Sequence, residues 1–533
     1  MALNKASNSM IEGAPVNVKD FGAVGDGVTD DTAAIQAAIN AVPNGTVVFP
    51  KGTYKITSEI DMATGVSLEG YGATLSITTA TSSFVYGASS IAEYHSISGF
   101  KVVGDGTTTL TKAVFFTTSG AQIDGIVFKD LYFKNVSFGI YVNQESSGNV
   151  ANCKITNCTF LNIFDDSDGV TSGRGVAVAF SGGNISGRPP LRASVTGCSF
   201  TNVGRHSVYI SSGSNLTVGG CNFYEHRAGA TLQSYSLAAL QISRANNVTA
   251  TNNNFIGCND TCVAVLNGSP SGACFNVSIK SNTFSDYARY GVLVGTDSPD
   301  VNGQVNNVLV GGNNFKHRSN SALSAVLVLH CDVLRISDNI IDASSLTVDN
   351  AAIISLYGYG SSNPSDNYHI ANNSIVMPET GISTARAITV QSNVCTGSQL
   401  VYIRDNIIKA LTDIHLATGQ TNTSLIISRL NALAKSSTLV IASGEITATA
   451  NRHIIDTESA AASDDLDTIN GGVDGKILVL STLTSGRDVT VKDNTGNIRL
   501  AGDFALSTTQ DVLTLIYDST SSFWHEVSRS NNA

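Results

Sequence analysis

A short pattern of apolar and polar positions recurs along the middle of the chain. It reads apolar, two variable residues, Cys or Asn, one variable residue, and then Phe or Ile. The clear copies place these residues at the Cys or Asn position: Cys158, Cys198, Cys221, Asn253, Asn282, Asn313, Asn339, Asn373 and Asn406. Weaker copies with Tyr71, Phe100 and Leu131 at that position precede them. The repetition predicts an array of similar units rather than unrelated domains.

The distance between copies indicates what each unit is. Successive Cys or Asn positions are 23 to 40 residues apart, which is too irregular for a helical array and too long for a hairpin. Such a step suits one coil of a parallel β-solenoid, in which short strands are joined by turns of variable length. Coils stack at the interstrand distance of about 4.8 Å. We therefore predict an interior column of Phe and Ile, beside Asn side chains that bond from coil to coil.

The first residues predict a short helix at the end of the solenoid. Its apolar positions follow helical spacing and are Ile35, Ala38, Ile39 and Val42. Asp30 and Asp31 can cap its first turn, and Asn44-Gly45 ends it. A helix before the first coil is expected to cover the open end of the core, as terminal caps do in solenoids.

The end of the chain changes character. After Ala460 it shows short strands separated by Gly and Asp turns, at Lys476–Leu480, Asp488–Lys492, Asn497–Leu500, Asp511–Tyr517 and Phe523–Val527. This pattern predicts a small antiparallel β-sandwich. The chain is therefore expected to be all-β and to divide into an N-terminal junction with the capping helix and first strand (1–60), a β-helix with the active-site groove (61–410), a transition with the last coils (411–462) and the sandwich (463–533).

Composition and charge exclude several classes of function. Charged residues make up 14% of the 533 residues, against about 25% in an average protein, and the net charge is −11. An acidic chain lacks the basic footprint of a nucleic-acid-binding protein. No apolar run approaches the roughly 18 residues of a membrane span, so we expect no membrane insertion. The nine cysteines show no paired metal-ligand spacing, and we expect them to be free and buried.

The few charged residues concentrate at equal offsets from the Cys or Asn position. Offsets +7 and +8 hold Asp165/Asp166, Arg205/His206, Asp260 and Arg289/Tyr290, offset +6 holds Arg227, and offset +4 holds Glu225, Asp286 and His317. Residues at equal offsets stack in a solenoid, so this predicts a polar groove along one wall between residues 160 and 320. The residues expected to contact a substrate are Arg205, Tyr209, Tyr224, His226, Arg227, Arg289 and Tyr290.

Two chemistries compete for this groove. Hydrolysis of a glycoside needs two carboxylates, one acting as the acid and the other as base or nucleophile. Glu225 and Asp260, one coil apart, would be roughly 5–8 Å apart by stacking. Glu225 is two coils away from Asp165 and Asp166, at a distance of ~10 Å. That separation would suit a hydrolase that inverts the anomeric configuration.

A lyase would instead need a base and a cation that neutralises a uronic carboxylate. His206 or Tyr209 could be that base, with Arg227 or Arg205 as the cation. We favour hydrolysis because of the acidic pair. A structural ladder of ion pairs, and an adhesin that grips glycan through Tyr209, Tyr224, Tyr287 and Tyr290 without cleaving it, stay open as alternatives.

Metal and cofactor sites are not expected. Asp165, Asp166 and Asp168 could bind a hard cation, but Phe164 interrupts the spacing of a calcium loop. We therefore interpret this segment as a solvated turn and predict no bound metal and no cofactor.

Two segments carry a resemblance to a known superfamily. The stretch from Val16 to Tyr54, with Asp20-Phe-Gly-Ala-Val-Gly25-Asp-Gly-Val-Thr-Asp30-Asp-Thr at its centre, resembles the opening of the pectate-lyase-like right-handed β-helix superfamily, particularly bacteriophage tailspikes. The stretch from Asp467-Thr-Ile-Asn-Gly-Gly472 to Ser530 is similar to the terminal sandwich of phage capsule depolymerases. The segments 204–209 and 224–227 resemble Arg-His and Glu-His-Arg elements of such enzymes. Polygalacturonase-like enzymes are matched only at Asp165-Asp166.

The resemblance implies a function and partners. It implies a right-handed β-helix that assembles as a homotrimer and cleaves a bacterial capsular or other surface polysaccharide. It also implies a protein made in the bacterial host cytoplasm and placed in the virion tail, attached to the tail or baseplate through an N-terminal domain that is missing here. The C-terminal sandwich would then serve trimerisation or carbohydrate binding.

Overall fold

The chain folds into two compact units. A computed structural model assigns residues 1–406 and 410–428 to the first unit and residues 407–409 and 429–533 to the second. The structure describes residues 13–78, 83–87, 90–104, 115–117, 121–144, 149–164, 175–182, 191–226, 237–266, 274–295, 305–318, 324–329, 331–347, 351–357, 367–378, 385–390, 400–409, 414–416, 425–428 and 438–532.

The first unit is a parallel β-helix of three long sheets, and most coils contribute one strand to each sheet. Sheet A contains Val16–Asn17, Thr46–Val48, Ser67–Glu69, Ser96–Ser98, Val127–Lys129, Cys153–Thr156, Ala193–Thr196, Gly213–Gly219, Ala245–Thr251, Cys274–Lys280, Val305–Gly311, Val333–Ser337, Asn367–Ala371, Leu400–Arg404 and Leu425–Ser428. Sheet B contains Asp26–Asp30, Gly52–Ile56, Ala73–Ile77, Lys101–Gly104, Tyr132–Val136, Thr159–Ile163, Ser199–Val203, Asn222–Tyr224, Asn254–Ile256, Thr283–Tyr287, Asn314–His317, Ile340–Asp342 and Ser374–Val376.

The third sheet closes each coil. Sheet C contains Ile60–Asp61, Phe84–Tyr86, Phe115–Thr117, Phe138–Gln144, Val176–Gly182, His206–Ile210, Ala238–Ser243, Thr261–Leu266, Tyr290–Val294, Ser324–Val328, Ala352–Leu356, Arg386–Val390 and Ile414–Leu416. A short extra sheet joins Ile91–Glu93, Gln122–Asp124 and Asn149–Ala151. The all-β solenoid expected from the repeat is confirmed.

Two interior columns hold the coils in register. Phenylalanine rings from sheet B stack one above another with centroids 4.4 to 5.0 Å apart, at Phe133, Phe160, Phe200, Phe223, Phe255, Phe284 and Phe315. Next to them, buried Asn side chains donate Nδ2–H to the amide oxygen of the following coil at 2.8 to 3.1 Å, at Asn253, Asn282, Asn313, Asn339 and Asn373, and Asn406 accepts the last of these bonds. The ladder satisfies amide groups that would otherwise be buried without a partner.

The cysteine copies continue the same line. The backbone N–H of Cys221 donates to Oδ1 of Asn253 at 3.0 Å, and the backbone N–H of Cys158 lies 3.4 Å from Sγ of Cys198. The predicted alignment of Cys158, Cys198, Asn253 and Asn282 on equivalent rungs is therefore confirmed.

The N-terminal helix spans Thr32–Asn40 and follows a short 3-10 helix at Val18–Phe21. Its residues Ile35, Ala38 and Ile39 are buried, as the spacing predicts. Of the two predicted capping residues, only Asp30 accepts a hydrogen bond from the first turn, from the Thr32 N–H at 3.0 Å. The Asp31 carboxylate instead accepts from the backbone N–H of Val24, which precedes the helix. None of the helices in the described residues is long and apolar enough to span a bilayer.

The second unit contains three smaller sheets. The largest joins, in order, Leu439–Val440, Arg452–Asp456, Ile477–Thr482, Val512–Asp518, Phe523–Ser530 and Ile498–Arg499, and the others join Glu445–Thr447 with Thr468–Asn470, and Ser463–Leu466 with Asp488–Val491 and Phe504–Leu506. A distorted 3-10 turn lies at Glu458–Ala460. Pairing is mixed rather than antiparallel as predicted, because Arg452–Asp456 runs parallel to Ile477–Thr482. Trp524 is fully buried, and its indole N–H donates to the Ile469 carbonyl at 2.9 Å.

Candidate functional site

One column of residues marks the turn from sheet B to sheet C. We call it the turn column, and it contains Asn135, Asn162, Asn202, Glu225, Gly257 and Asp286. The register of sheet B aligns these positions. Tyr224 pairs with Ile256 and Ile256 pairs with Ser285, and the residue after each of the three belongs to the turn column. All six have φ between +50° and +68°, the left-handed region that Asn and Gly tolerate best. Their common backbone conformation makes them equivalent positions on successive coils.

The asparagines of the turn column form a ladder that ends at Glu225. Nδ2 of Asn202 donates to Oδ1 of Asn162 at 3.0 Å, and Nδ2 of Asn162 donates to Oδ1 of Asn135 at 3.4 Å. A glutamate has no amide donor to continue this series, and the left-handed conformation costs an ordinary residue about 1–2 kcal/mol. Glu225 is also exposed. Such locally unfavourable residues concentrate at functional sites.

Gly257 leaves a gap between Glu225 and Asp286. The backbone N, Cα and Cγ of Glu225 lie 3.8 to 3.9 Å from the point where a Cβ of Gly257 would be, so a side chain at this position would contact Glu225 and none is present. Glu225 and Asp286 are two coils apart, or about 9.6 Å between backbone positions. Two exposed acids therefore face one open surface patch.

Arg318 fixes the second acid of this pair. Its Nε donates to Oδ1 of Asp286 at 2.7 Å, and its Nη2 donates to the backbone carbonyl of Asp286 at 3.0 Å. The two bonds orient the Asp286 carboxylate while leaving more than half of its side chain exposed (58%). Asp286 therefore presents a positioned carboxylate to solvent.

The residue after each turn-column position points into the interior. This interior column contains Val136, Ile163, Val203, His226, Cys258, Tyr287 and, after a register shift, His317. His226 is only 1% exposed, which corrects its assignment to the substrate-contacting surface. His317 packs edge-on against Tyr287 with centroids 4.8 Å apart, and burial lowers the pKa of its imidazole to about 3.

Asp260 belongs to a different column from Glu225. The register of sheet C, in which Val208 aligns with Leu240, Leu240 with Val263 and Val263 with Val292, places Arg205, Leu237, Asp260 and Arg289 on successive coils. Asp260 is fully buried, and Nη1 of Arg289 lies 3.7 Å from its Oδ1. A buried carboxylate beside a guanidinium is typical of a structural ion pair. The predicted alignment of Arg205, Asp260 and Arg289 is present, but Asp260 does not share an open surface with Glu225.

The remaining candidates surround the start of sheet C. His206 is buried (3% exposed); its Nδ1 lies 2.8 Å from the Ala238 carbonyl, to which Nδ1–H donates, and its ring stacks on Tyr209 at 5.1 Å. Tyr290 is also buried, with the Arg289 guanidinium 5.4 Å from its ring centroid. Partly exposed side chains that can contact a glycan are those of Arg205, Tyr209 and Tyr224.

Three predicted site residues, Asp165, Asp166 and Arg227, lie outside the described residues, as does Asp168. Within the described ranges, no group of three or more His, Cys, Asp or Glu side chains is placed to hold a metal ion. The sequence-based selection omitted Asp286, although its offset of +4 equals that of Glu225. The shared offset is the signal that could have paired these two acids.

The parallel β-helix has counterparts among known proteins. Residues 15–283, half of the chain, match the family described as rhamnogalacturonase A/epimerase, pectate lyase-like. The chain belongs to this family.

Curated relatives share one short, highly similar stretch. The chain is 64% identical over 44 residues to mannuronan C5-epimerase AlgE5 of Azotobacter vinelandii, which is 8% of this chain and 4% of the epimerase. It is 54% identical over 52 residues to alginate lyase 7 of the same organism, covering 9% and 6%. A third match is plasmin and fibronectin-binding protein A of Streptococcus pneumoniae, 44% identical over 62 residues and covering 11% and 9%. The chain thus spans a small part of the length of these relatives.

Solved structures show the same fold over most of the chain. The tailspike protein of E. coli bacteriophage HK620, as an aspartate-to-asparagine mutant in complex with a pentasaccharide, superposes with a TM-score of 0.52 at 15% identity, covering 77% of this chain and 80% of that one. A glutamate-to-glutamine mutant of that tailspike in complex with a hexasaccharide gives the same TM-score, identity and coverage. At this identity the likeness shows the fold alone.

Proposed function

We propose that this protein is a phage tailspike depolymerase that binds a bacterial capsular or other surface polysaccharide and cleaves it as an endo-acting glycoside hydrolase. The observation that carries the proposal is the replacement of the turn-column asparagines by Glu225, Gly257 and Asp286. Two exposed carboxylates there flank a position without a side chain, and hydrolysis of a glycosidic bond uses two carboxyl groups, one on either side of that bond. In this proposal Asp286 replaces Asp260, Asp165 and Asp166, the residues predicted as the second carboxylate of the pair.

The spacing favours inversion of the anomeric carbon. Inverting enzymes separate their carboxyl groups by about 6.5–9.5 Å, whereas retaining enzymes hold them about 5–5.5 Å apart. Two coil steps separate the backbone positions of Glu225 and Asp286 by about 9.6 Å, which is close to the first range and well above the second. Glu225 protonates the leaving glycosidic oxygen as the bond breaks, and Asp286, oriented by Arg318, accepts a proton from the water that attacks the opposite face of the sugar.

Neighbouring side chains would hold the sugar units. Tyr209 and Tyr224 offer rings, and Arg205 offers a guanidinium, on the coils around Glu225. Relatives and structural neighbours are consistent with a glycan substrate, because the named relatives include an epimerase and a lyase of polysaccharides and the tailspike mutants were solved with bound oligosaccharides. Assembly as a homotrimer and attachment to the virion tail belong to the same proposal.

A second candidate activity is β-elimination at a uronic acid. It is favoured by the match to alginate lyase 7 and would use Tyr209 or His206 as the base and Arg205 as the cation. The burial of His206 counts against it, because a general base must reach the proton that it removes.

Incubation with a panel of purified capsular polysaccharides and O-antigens separates these activities. A hydrolase releases new reducing ends without the ultraviolet absorbance of an unsaturated uronate, a lyase gives both signals, and an adhesin binds glycan without either. We expect Glu225→Gln and Asp286→Asn each to lower the rate by about 10²–10⁴-fold. The matched control is Asp338→Asn, another exposed aspartate with positive φ, at +59°, on a different turn. Full activity in both site variants would contradict the proposal.

A further inference from the structure

A strip of cationic and aromatic side chains lies on the outer surface of sheet A, away from the turn column. Arg335 aligns with His369, and His369 aligns with Tyr402 on the next coil. Arg404, two residues after Tyr402, lies beside them in the same strand. We call Arg335, His369, Tyr402 and Arg404 the cationic strip. Both arginines are exposed, while His369 and Tyr402 are partly exposed.

The strip presents hydrogen-bond donors rather than aromatic faces. The rings of His369 and Tyr402 stack on each other, with centroids 4.7 Å apart and planes 29° from parallel. The two faces that meet are therefore covered, while the ring edges, the tyrosine hydroxyl and two guanidinium groups are available for hydrogen bonds. Guanidinium groups bind carboxylates and phosphates through paired hydrogen bonds.

The positive charge of the strip is incompletely neutralised by the chain. Among the described residues no ion pair includes Arg335. Arg404 lies 3.5 Å from its own neighbour Asp405, with half of its side chain exposed, and an exposed pair of this kind contributes little to stability. The other nearby acid, Asp338, accepts a hydrogen bond from Asn372. Burial, followed by the charges of Arg335 and Arg404, lowers the pKa of His369.

We propose that the cationic strip is a second, non-catalytic binding site for an anionic glycan, whose carboxylate or phosphate groups bind between Arg335 and Arg404. The positive charges of Arg335 and Arg404 repel each other, and an anion bound between them would relieve this repulsion. It also stands out in a chain with a net charge of −11. An acidic polysaccharide supplies repeated anions along an extended chain, which matches donors repeated on successive coils.

The position of the strip suits a tethering role. Glu225 belongs to the coil of Cys221, and the strip occupies the coils of Asn339, Asn373 and Asn406, four to six coils further on. Stacking places it about 19–29 Å away along the axis of the β-helix. A long polysaccharide held at the strip would stay at high local concentration near the turn column. The inference goes beyond the proposed hydrolase activity, because binding at the strip requires no cleavage.

Binding measurements can test the strip without any turnover. The probe is polygalacturonate, with neutral dextran of equal length as the second ligand, titrated calorimetrically into the full chain carrying Glu225→Gln. We expect binding of the polyanion that weakens as salt rises, and no binding of dextran. Arg335→Gln with Arg404→Gln should weaken polygalacturonate binding about tenfold or more at low salt.

The matched control is Lys280→Gln, which removes an exposed cation from the strand Cys274–Lys280 of the same sheet and should change the affinity less than twofold. The NMR signal of His369 gives a second readout, since a bound anion should raise its pKa. Unchanged affinity in the double variant, equal binding of dextran, or no polygalacturonate binding by the parent protein would overturn the proposal. A change of oligomeric state in the double variant with unchanged glycan affinity would instead indicate a contact between copies of the chain, and would also overturn it.

Discussion

Oδ1 of Asn313 accepts two hydrogen bonds from Asn282, one from the backbone N–H at 2.9 Å and one from Nδ2 at 3.1 Å. Its own Nδ2 donates to the Ile279 carbonyl at 2.9 Å and to Oδ1 of Asn339 at 3.0 Å. Because Asn313 is buried, water cannot replace these bonds when the side chain is removed. The interior ladder is therefore a structural element of the β-helix.

Asn313→Ala should destabilise the β-helix strongly. Buried donors and acceptors left without partners cost about 1–3 kcal/mol each, so we expect a loss of roughly 2–5 kcal/mol, measured by denaturant unfolding of the chain or by its unfolding rate. The control is Asn276→Gly in the exposed ladder of Asn247, Asn276 and Asn307, where water can take over the bonds and glycine tolerates the φ of +55°. That variant should lose less than about 1 kcal/mol; equal losses would refute the special role of the buried ladder.

Acid should destabilise the fold through His317. Burial lowers the pKa of this imidazole to about 3, from 6.5 in an exposed histidine. The unfolded chain therefore binds a proton below pH 6.5 that the folded chain does not bind until about pH 3, so stability falls as the pH is lowered through this window. The full effect is roughly 3–5 kcal/mol.

His317→Phe should remove this dependence. The free energy of unfolding should fall less steeply between pH 6.5 and about pH 3 than in the parent protein, while the two differ little in slope above pH 7. The measurement is urea unfolding at closely spaced pH values. Parallel pH profiles for the two proteins would show that His317 does not carry the acid sensitivity.

Asp260 should prove structural rather than catalytic. It is fully buried beside Arg289, so Arg289→Met removes a partner of a buried charge and should cost about 3–5 kcal/mol. Asp260→Asn should lower stability while the folded fraction retains turnover within about tenfold of the parent, in contrast to Glu225→Gln. The measurement is the turnover rate divided by the folded fraction of each variant. Loss of turnover in Asp260→Asn without loss of stability would show that Asp260 is catalytic.

The buried cysteines should not react with thiol reagents while the protein is folded. Eight of them are buried and unpaired in disulfides, and burial raises the pKa of both Cys153 and Cys274 to about 12. A thiol reacts as the thiolate, so a Cys395→Ser variant should consume almost no Ellman's reagent until it is unfolded, and then eight equivalents. Rapid reaction in native buffer would show that the column containing Cys158 and Cys198 is accessible.

The repeat in the sequence predicted the coils because every coil must place a Phe or Ile and a Cys or Asn in the same interior columns, and this requires the same short residue pattern in each coil. It could not predict which neighbouring residues face inward. Glu225 and His226 are adjacent and both polar, yet a left-handed turn residue sends one outward and the next into the core. The opposite directions of these two side chains result from the left-handed backbone conformation of Glu225. Glutamate rarely adopts this conformation, so the residue type did not predict it.

Insertions limited the prediction of the groove as well. Leu237 occupies the position between Arg205 and Asp260 in their column, so Arg205 and Asp260 are two coils apart. The mixed pairing of the second unit depends on contacts between strands far apart in sequence, which short apolar runs do not specify.

The most direct test of the account is the anomeric configuration of the first product, followed by ¹H NMR immediately after the enzyme is mixed with a polysaccharide that it cleaves. Attack by water held at Asp286, with Glu225 as the acid, predicts a new reducing end of configuration opposite to that of the cleaved linkage. A product that keeps the original configuration, or one that carries an unsaturated uronate, would contradict catalysis by the Glu225–Asp286 pair.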